Sequence, residues 1–387
     1  MNFFIYTALL FIFSFIVCNY LTPKIRTLML SKNLAAEPDN RSSHEVPTPN
    51  LGGIAFFVVL MLSFYFIAST EYFGVDVVKD VYDPSNIIIS LLPGLTILFI
   101  VGLKDDILVI APLSKLMAQT LAAVLFVYHY GKSINTLYGF MGIEDLNPIL
   151  AGAIAVFILV AVINALNLID GIDGLAASVS IIMFAAFGMA FYVINHIFLF
   201  SVSVVMIGTL MAYLRFNLSS TQKIFMGDTG SMILGFMLGV MAISFLALDP
   251  KDIARLPIRG ENLPIVTGAI LIIPFFDTVR VFLVRIVKKK NPFKPDRSHI
   301  HHIIIDKFKI SHRRASFVLG VSNFLVIILI SFLAVTTSNW LLLTLFICLL
   351  ILLSLFFFII NKSSWFLKVK VRNMKKQKAA ERRRSGA

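Results

Sequence analysis

Cysteine is nearly missing from this chain: two occur in 387 residues, Cys18 and Cys348, in separate apolar runs almost the whole chain apart. That separation reads as packing and argues against a disulfide framework or a cysteine metal site. Charge is scarce too, with Asp, Glu, Lys and Arg making up 14% of residues. At 58% hydrophobic residues and a mean hydropathy of +0.89, ordinary water-soluble domains are excluded. Acidic residues are the rarer sign, 21 against 34 Lys and Arg, for a net charge of +13. The excess does not point to nucleic acid. Its cations fall in short gaps between apolar runs and in the C-terminal stretch, where they read as topology signals facing anionic lipid. No internal repeat stands out, which weakens a transporter built from duplicated halves.

What the chain has is apolar runs long enough to cross hydrocarbon, each of roughly 20 residues. They lie near 3–22, 50–68, 86–103, 112–130, 148–166, 175–193, 197–214, 231–247, 265–286, 315–336 and 340–360. The expected fold is an all-α, polytopic bundle of about eleven transmembrane helices. Assigning alternate gaps to opposite sides leaves only Lys79, Lys132, Lys251, Arg255 and Arg259 on the basic-poor side. The positive-inside rule then puts the N-terminus outside and the C-terminus in the cytoplasm. Residues 3–22 are followed, not preceded, by Lys24 and Arg26 and end in no small-residue cleavage site, so they read as a retained span. Residues 1–361 form the membrane domain, and 362–387 read as a flexible basic tail lying on lipid. The outer gaps at 69–84 and 142–147, with Glu71, Asp76, Asp80, Asp83, Glu144 and Asp145, read as solvated loops.

The polar residues that carry chemistry fall in the cytoplasmic gaps. In DNRSSHEVPTPNLGG at 39–53, proline and glycine force irregular backbone, and Arg41 and His44 offer donors to an anion. A plain interhelical loop is the competing reading. In GLKDDILVIAPLSK at 102–115, Asp105 and Asp106 end an apolar run, a costly position unless they are solvated, paired or metal-bound. Bringing Asp106 and Lys115 together needs a break, which suggests a re-entrant or capped segment around Pro112. In NALNLIDGIDGLAAS at 164–178, Asn164, Asn167 and Asp170 recur every three residues, placing them on one helix face. Gly171 and Gly174 then allow a tight turn that brings Asp173 close to a ligand.

In KIFMGDTGSMILG at 223–235, Asp228 opens a helix whose free amides suit a phosphate, and Phe225 can stack on a base or simply pack. In KKKNPFKPDRSHIHHIII at 288–305, His299, His301 and His302 crowd beside Lys294 and Arg297. Three histidines suggest zinc, but the surrounding cations favour a phosphate or sugar partner. Together these groups suit magnesium, which takes few protein ligands and leaves the rest to substrate phosphates, and a phosphoryl transfer run by positioning and charge.

Five motifs, PTPNLGG, GLKDD, NALNLIDGIDG, FMGDTGS and HIHH, in this order over roughly 39–305, resemble the polyprenyl-phosphate N-acetylhexosamine-1-phosphate transferases (glycosyltransferase family 4). Within that family the closest resemblance is to the enzymes that initiate O-antigen, common-antigen and teichoic-acid assembly. The resemblance implies transfer of a sugar 1-phosphate from a UDP-N-acetylhexosamine, first of all UDP-N-acetylglucosamine, to undecaprenyl phosphate with release of UMP. It further implies a magnesium cofactor, with manganese as a substitute, and a bacterial plasma-membrane enzyme whose site faces the cytoplasm. A homodimer is compatible with the family.

By the same resemblance Asp105, Asp106 and Lys115 are catalytic, Asn167 and Asp228 hold the metal, and Asn164, Asp170, Gly171, Asp173 and Phe225 line the nucleotide. His44, Arg297, His299, His301 and His302 meet sugar and pyrophosphate. Asn50 and SSTQ at 219–222 depart from the family pattern, which frequently has a basic residue and Pro-Ala there. HIHH points away from the muramyl-pentapeptide branch, the alternative within the family. A secondary transporter, the rival of another class, would place its acids near the bilayer midplane.

Overall fold

A computed structural model describes residues 3–32, 34, 48–72, 84–131, 134–287, 289 and 299–360. His44, Arg297, Lys294 and the tail lie outside them, as do Arg41, Asp76, Asp80 and Asp83. The helices are α1 (Phe3–Ser31), α2 (Gly53–Tyr72), α3 (Pro84–Leu108), α4 (Pro112–Tyr130), α5 (Pro148–Ile169), α6 (Leu175–Val193) and α7 (Ile197–Asn217). They continue as α8 (Gly227–Leu246), α9 (Pro250–Ile253), α10 (Leu263–Ile270), α11 (Ile272–Val287), α12 (Ile300–Phe308), α13 (His312–Thr336) and α14 (Asn339–Ile360). Every one of the eleven apolar runs is helical. Among the described residues eight helices are long and apolar enough to cross a membrane.

Helix α8 is the axis of the bundle: Thr229 through Leu246 are all buried. It packs on α5, α3, α2 and α6. Its contact with α5 is close because side chains are missing where the two helices cross. A Cβ on Gly235 would come within 2.6 Å of the Ile163 Cα, and one on Gly239 within 2.6 Å of Leu159 Cδ1. Small residues spaced four apart commonly set the approach of membrane helices. Outward-facing Phe4, Tyr65, Phe157 and Phe332 are exposed, as a lipid-facing surface requires.

Two expectations change. The outer segment around 142–147 is an antiparallel hairpin, not a loop: β1 (Thr136–Phe140) pairs with β2 (Ile143–Asp145), and Asn339 Nδ2 donates to the Gly139 carbonyl at 2.8 Å. The ninth run breaks at Leu271 into α10 and α11, because Pro274 has no N–H for the Ile270 carbonyl. Asn323 Nδ2 of α13 reaches that carbonyl instead, at 3.4 Å. The break expected around Pro112 is present: α3 ends at Leu108 and α4 starts at Pro112, whose missing N–H costs nothing in a first turn.

Candidate active site at one end of the bundle

The sites picked from the sequence gather at one end of the bundle, where α3, α5 and α7 finish and α4, α6 and α8 begin. At its centre the Lys115 ammonium, in the first turn of α4, lies 3.1 Å from Asp105 Oδ2 and 2.5 Å from Asp228 Oδ1. Asn167 Nδ2, from the last turn of α5, also donates to Asp228 Oδ1 and to Ser231 Oγ at 2.7 Å. Asp105 is held from its other oxygen by the Ile110 amide at 2.7 Å.

Asp106 turns the opposite way from Asp105 and caps α8. Its carboxylate accepts from the amides of Asp228 and Thr229 at 2.8 and 2.9 Å and from Thr229 Oγ1 at 2.6 Å. It thus supplies the orphan first-turn donors that α8 leaves open, since Met226 at the cap position makes no side-chain bond. Gly227, at φ +70°, makes this approach feasible, because a Cβ there would strike the Asn50 carbonyl and both Asp106 oxygens.

The PTPNLGG segment has a structural role in the same place. Gly52 and Gly53 donate to the Phe225 and Met226 carbonyls at 2.9 Å each, and the Phe225 amide donates to the Pro49 carbonyl at 2.8 Å. Asn50 Nδ2 donates to the Asp106 carbonyl at 3.3 Å.

Beside this centre lies the 170–174 turn. Asp173 is paired with Lys223 at 2.7 Å and with His312 at 3.5 Å. Burial opposes its ionisation, but the bonds from His312 and Lys223 win and hold the carboxyl below the usual range. Lys223 Nζ also stands 5.2 Å above the half-buried Phe225 ring. Asp170 goes the other way. Burial first, then the charges of Asp228, Asp106 and Asp173, push its carboxyl well above the usual range. Five carboxyl groups, Asp105, Asp106, Asp170, Asp173 and Asp228, therefore share one site in which, among the described residues, Lys115 and Lys223 are the paired lysines.

Asn164 does not join this group. It sits one turn deeper and donates to Gln119 Oε1 at 2.7 Å and to the Val160 carbonyl at 2.8 Å. The histidine segment does join: His301 is buried with its ring against Gly171, where a Cβ would lie 2.7 Å from Nε2. The His302 ring is 4.3 Å from it.

Sequence reasoning missed Lys223 and His312, the partners of Asp173, and two further residues. Asn217 accepts from the Gly174 amide at 2.6 Å while its Nδ2 donates to Tyr213 and to the Ile224 carbonyl, tying the 170–174 turn to the loop that carries Lys223 and Phe225. Asp277 of α11 accepts from His299 Nδ1 and the Ile300 amide. A lone acid inside an apolar run was the available signal for Asp277; a polar residue ending α7 gave none for Asn217.

The donor set is suited to a hard cation. Asp105, Asp228 and Asn167 offer carboxylate and amide oxygens where Lys115 now balances the charge, and the uncompensated field at Asp170 would be relieved by further positive charge. Among the described residues no three His, Cys, Asp or Glu side chains form a cage. An ion here would draw its remaining ligands from water and phosphate, as magnesium does.

Helices of this length around a buried α8, with acids and lysines of the described residues collected at one end, define a polytopic membrane protein. The chain belongs to glycosyl transferase family 4. That family's sequence profile matches residues 88–246, from α3 through α8. A decaprenyl-phosphate N-acetylglucosaminephosphotransferase of Mycolicibacterium smegmatis is 30% identical over 323 residues, 78% of this chain and 75% of its own length. A probable undecaprenyl-phosphate N-acetylglucosaminyl 1-phosphate transferase of Bacillus subtilis is 28% identical over 320 residues, 81% of both chains. An undecaprenyl-phosphate alpha-N-acetylglucosaminyl 1-phosphate transferase of Yersinia pestis is 29% identical over 303 residues, 77% and 76%.

Proposed function

We propose that the protein transfers N-acetylglucosamine 1-phosphate from UDP-N-acetylglucosamine to undecaprenyl phosphate, releasing UMP and forming undecaprenyl-diphospho-N-acetylglucosamine. The names of its relatives support the reaction and both substrates. The observation that carries it here is the Asp105–Lys115–Asp228 arrangement at the helix ends, beside Asn167. In a bacterial plasma membrane this end would face the cytoplasm, where the soluble donor is found and the basic residues concentrate.

Asp228, Asn167 and Asp105 would hold magnesium, which when bound neutralises the diphosphate and polarises the reacting phosphorus. Lys115 supplies a fixed positive charge next to the transferred phosphoryl group. The lipid phosphate is the nucleophile; its second ionisation lies near pH 6, about a unit below neutrality, so most of it is already a dianion. Asp105 orients Lys115 and takes any remaining proton, while Asp106 acts by holding α8 and thereby Asp228. Phe225 and the 170–174 turn bind the uridine, and His299, His301 and His302 meet the diphosphate and sugar. One oxygen–phosphorus bond forms to the lipid phosphate as the bond to UMP breaks, so the phosphoanhydride is conserved and the reaction is reversible.

The test is UMP release by purified protein in detergent with undecaprenyl phosphate, magnesium and a panel of UDP-sugars. Lipid- and metal-dependent release with UDP-N-acetylglucosamine is expected. No release across the panel from folded protein would reject the reading, and release only with UDP-muramyl-pentapeptide would move it to the other branch of the family.

A further inference from the structure

Asp277 is wholly buried on α11, outside all five motifs, and a buried carboxylate is costly unless it is fully bonded. Among the described residues its hydrogen bonds run to the start of the histidine segment. His299 Nδ1 lies 2.9 Å from Oδ2, and the Ile300 amide donates to Oδ1 at 2.8 Å. His301 Nδ1 is 3.9 Å away and Arg280 4.0 Å. Helix α12 begins at Ile300, and the residue before it, His299, makes no side-chain cap. Asp277 therefore caps α12 from another helix.

We propose that Asp277 is the positioning residue for donor binding: it fixes the ring and the proton of His299 and anchors α12 against the 170–174 turn. A carboxylate only accepts, so it keeps a proton on His299 Nδ1 and leaves Nε2, on the far side of the ring, for the substrate. The same cap sets the first turn of α12, and with it the His301 ring packed on Gly171. One buried acid thus couples the part of the site that meets the sugar diphosphate to the part that meets the nucleoside. The inference rests on the donor-binding role given to the histidines above.

The test measures the Kd of UDP-N-acetylglucosamine and of UMP on the full-length protein in detergent, with UMP release followed in parallel. In Asp277→Asn the amide oxygen still accepts from Ile300, but the amide nitrogen faces His299 Nδ1 and drives its proton to Nε2. The UDP-sugar Kd is expected to rise about tenfold to a hundredfold, with UMP binding and the KM for the lipid unchanged. His299→Ala should reproduce that pattern, and adding Asp277→Asn to it should change nothing further. Equal loss of UDP-sugar and UMP binding, no loss, or multiplying effects in the double variant would overturn the proposal. If Asp277→Asn does not fold, Asp277→Glu and His299→Ala carry the test: normal UDP-sugar affinity in His299→Ala overturns it. A wild-type protein that binds the UDP-sugar but releases no UMP would reject the transferase reading while leaving the binding comparison intact.

Discussion

Asp106 at the end of α3 and Thr229 in the first turn of α8 are joined twice, through the Thr229 amide at 2.9 Å and its hydroxyl at 2.6 Å. The pair of acids in GLKDD thus divides its work: Asp105 faces Lys115, and Asp106 holds the helix that presents Asp228.

That division sets an order of stability. Asp106→Asn exchanges one accepting oxygen for a donor facing donors and should cost about 1.5–3 kcal/mol, whereas Thr229→Val loses one bond and about 1 kcal/mol. Thermal unfolding in detergent should rank wild type above Thr229→Val above Asp106→Asn, with turnover falling in both variants. An Asp106→Asn protein as stable as wild type would show that the cap carries no weight.

Asp228→Ala should remove turnover by at least about a hundredfold to a thousandfold, because it takes away a carboxylate that would hold the cation neutralising the diphosphate. Its effect on folding should be smaller than that of Asp106→Asn. Magnesium should raise the Tm of the wild type by mass action but not that of Asp228→Ala, and EDTA should silence the wild type. A full magnesium shift in Asp228→Ala would remove Asp228 from the metal site.

Acid should weaken the fold through His301. Burial pushes its ring down to about 3, against an ordinary 6.5. As pH falls from 6.5 the unfolded chain takes up a proton that the folded one refuses, so stability drops, at up to about 1.4 kcal/mol per pH unit. His301→Phe should flatten that slope between pH 6.5 and 4.5. Asp170 has the opposite sense. Its raised carboxyl penalises the fold as pH rises past the unfolded value, so in EDTA Asp170→Asn should raise the Tm at neutral pH and gain nothing below about pH 4. Denaturation followed across that range reads both.

Asn217→Ala should leave the Gly174 amide without its buried partner, at about 1–3 kcal/mol, while the Ile224 carbonyl keeps the Tyr213 hydroxyl at 3.3 Å. Because those groups join the nucleotide turn to the Lys223–Phe225 loop, the UDP-sugar KM should rise with the loss of Tm. A Tm loss with unchanged KM would make Asn217 a purely structural tie.

Much of this was readable in the chain. Runs of apolar residues placed eleven helical segments but not α9, α12 or the division of α10 from α11, and the one-sided placement of GLKDD, NALNLIDGIDG, FMGDTGS and HIHH foretold that they would meet. Spacing was a poorer guide to which residue touches which. Asn164 and Asn167 share a face three residues apart, yet one turn of helix separates a bond to Gln119 from a bond to Asp228. The ninth run read as one span, so neither its break at Leu271 nor the bond from Asn323 to the freed carbonyl was foreseen.

The sequence by itself determined the class of protein, most of its helical segments and the residue types gathered at one end, because hydrophobic length and residue type are local properties that survive without neighbours. Only the tertiary structure decided the roles: Asp105 to Lys115 but Asp106 to α8, PTPNLGG as backbone pairing for FMGD, Asp277 beneath His299. Those assignments depend on which helix ends are brought together, and that follows from the packing of α8 with its neighbours, a sum of contacts that no single stretch of sequence contains.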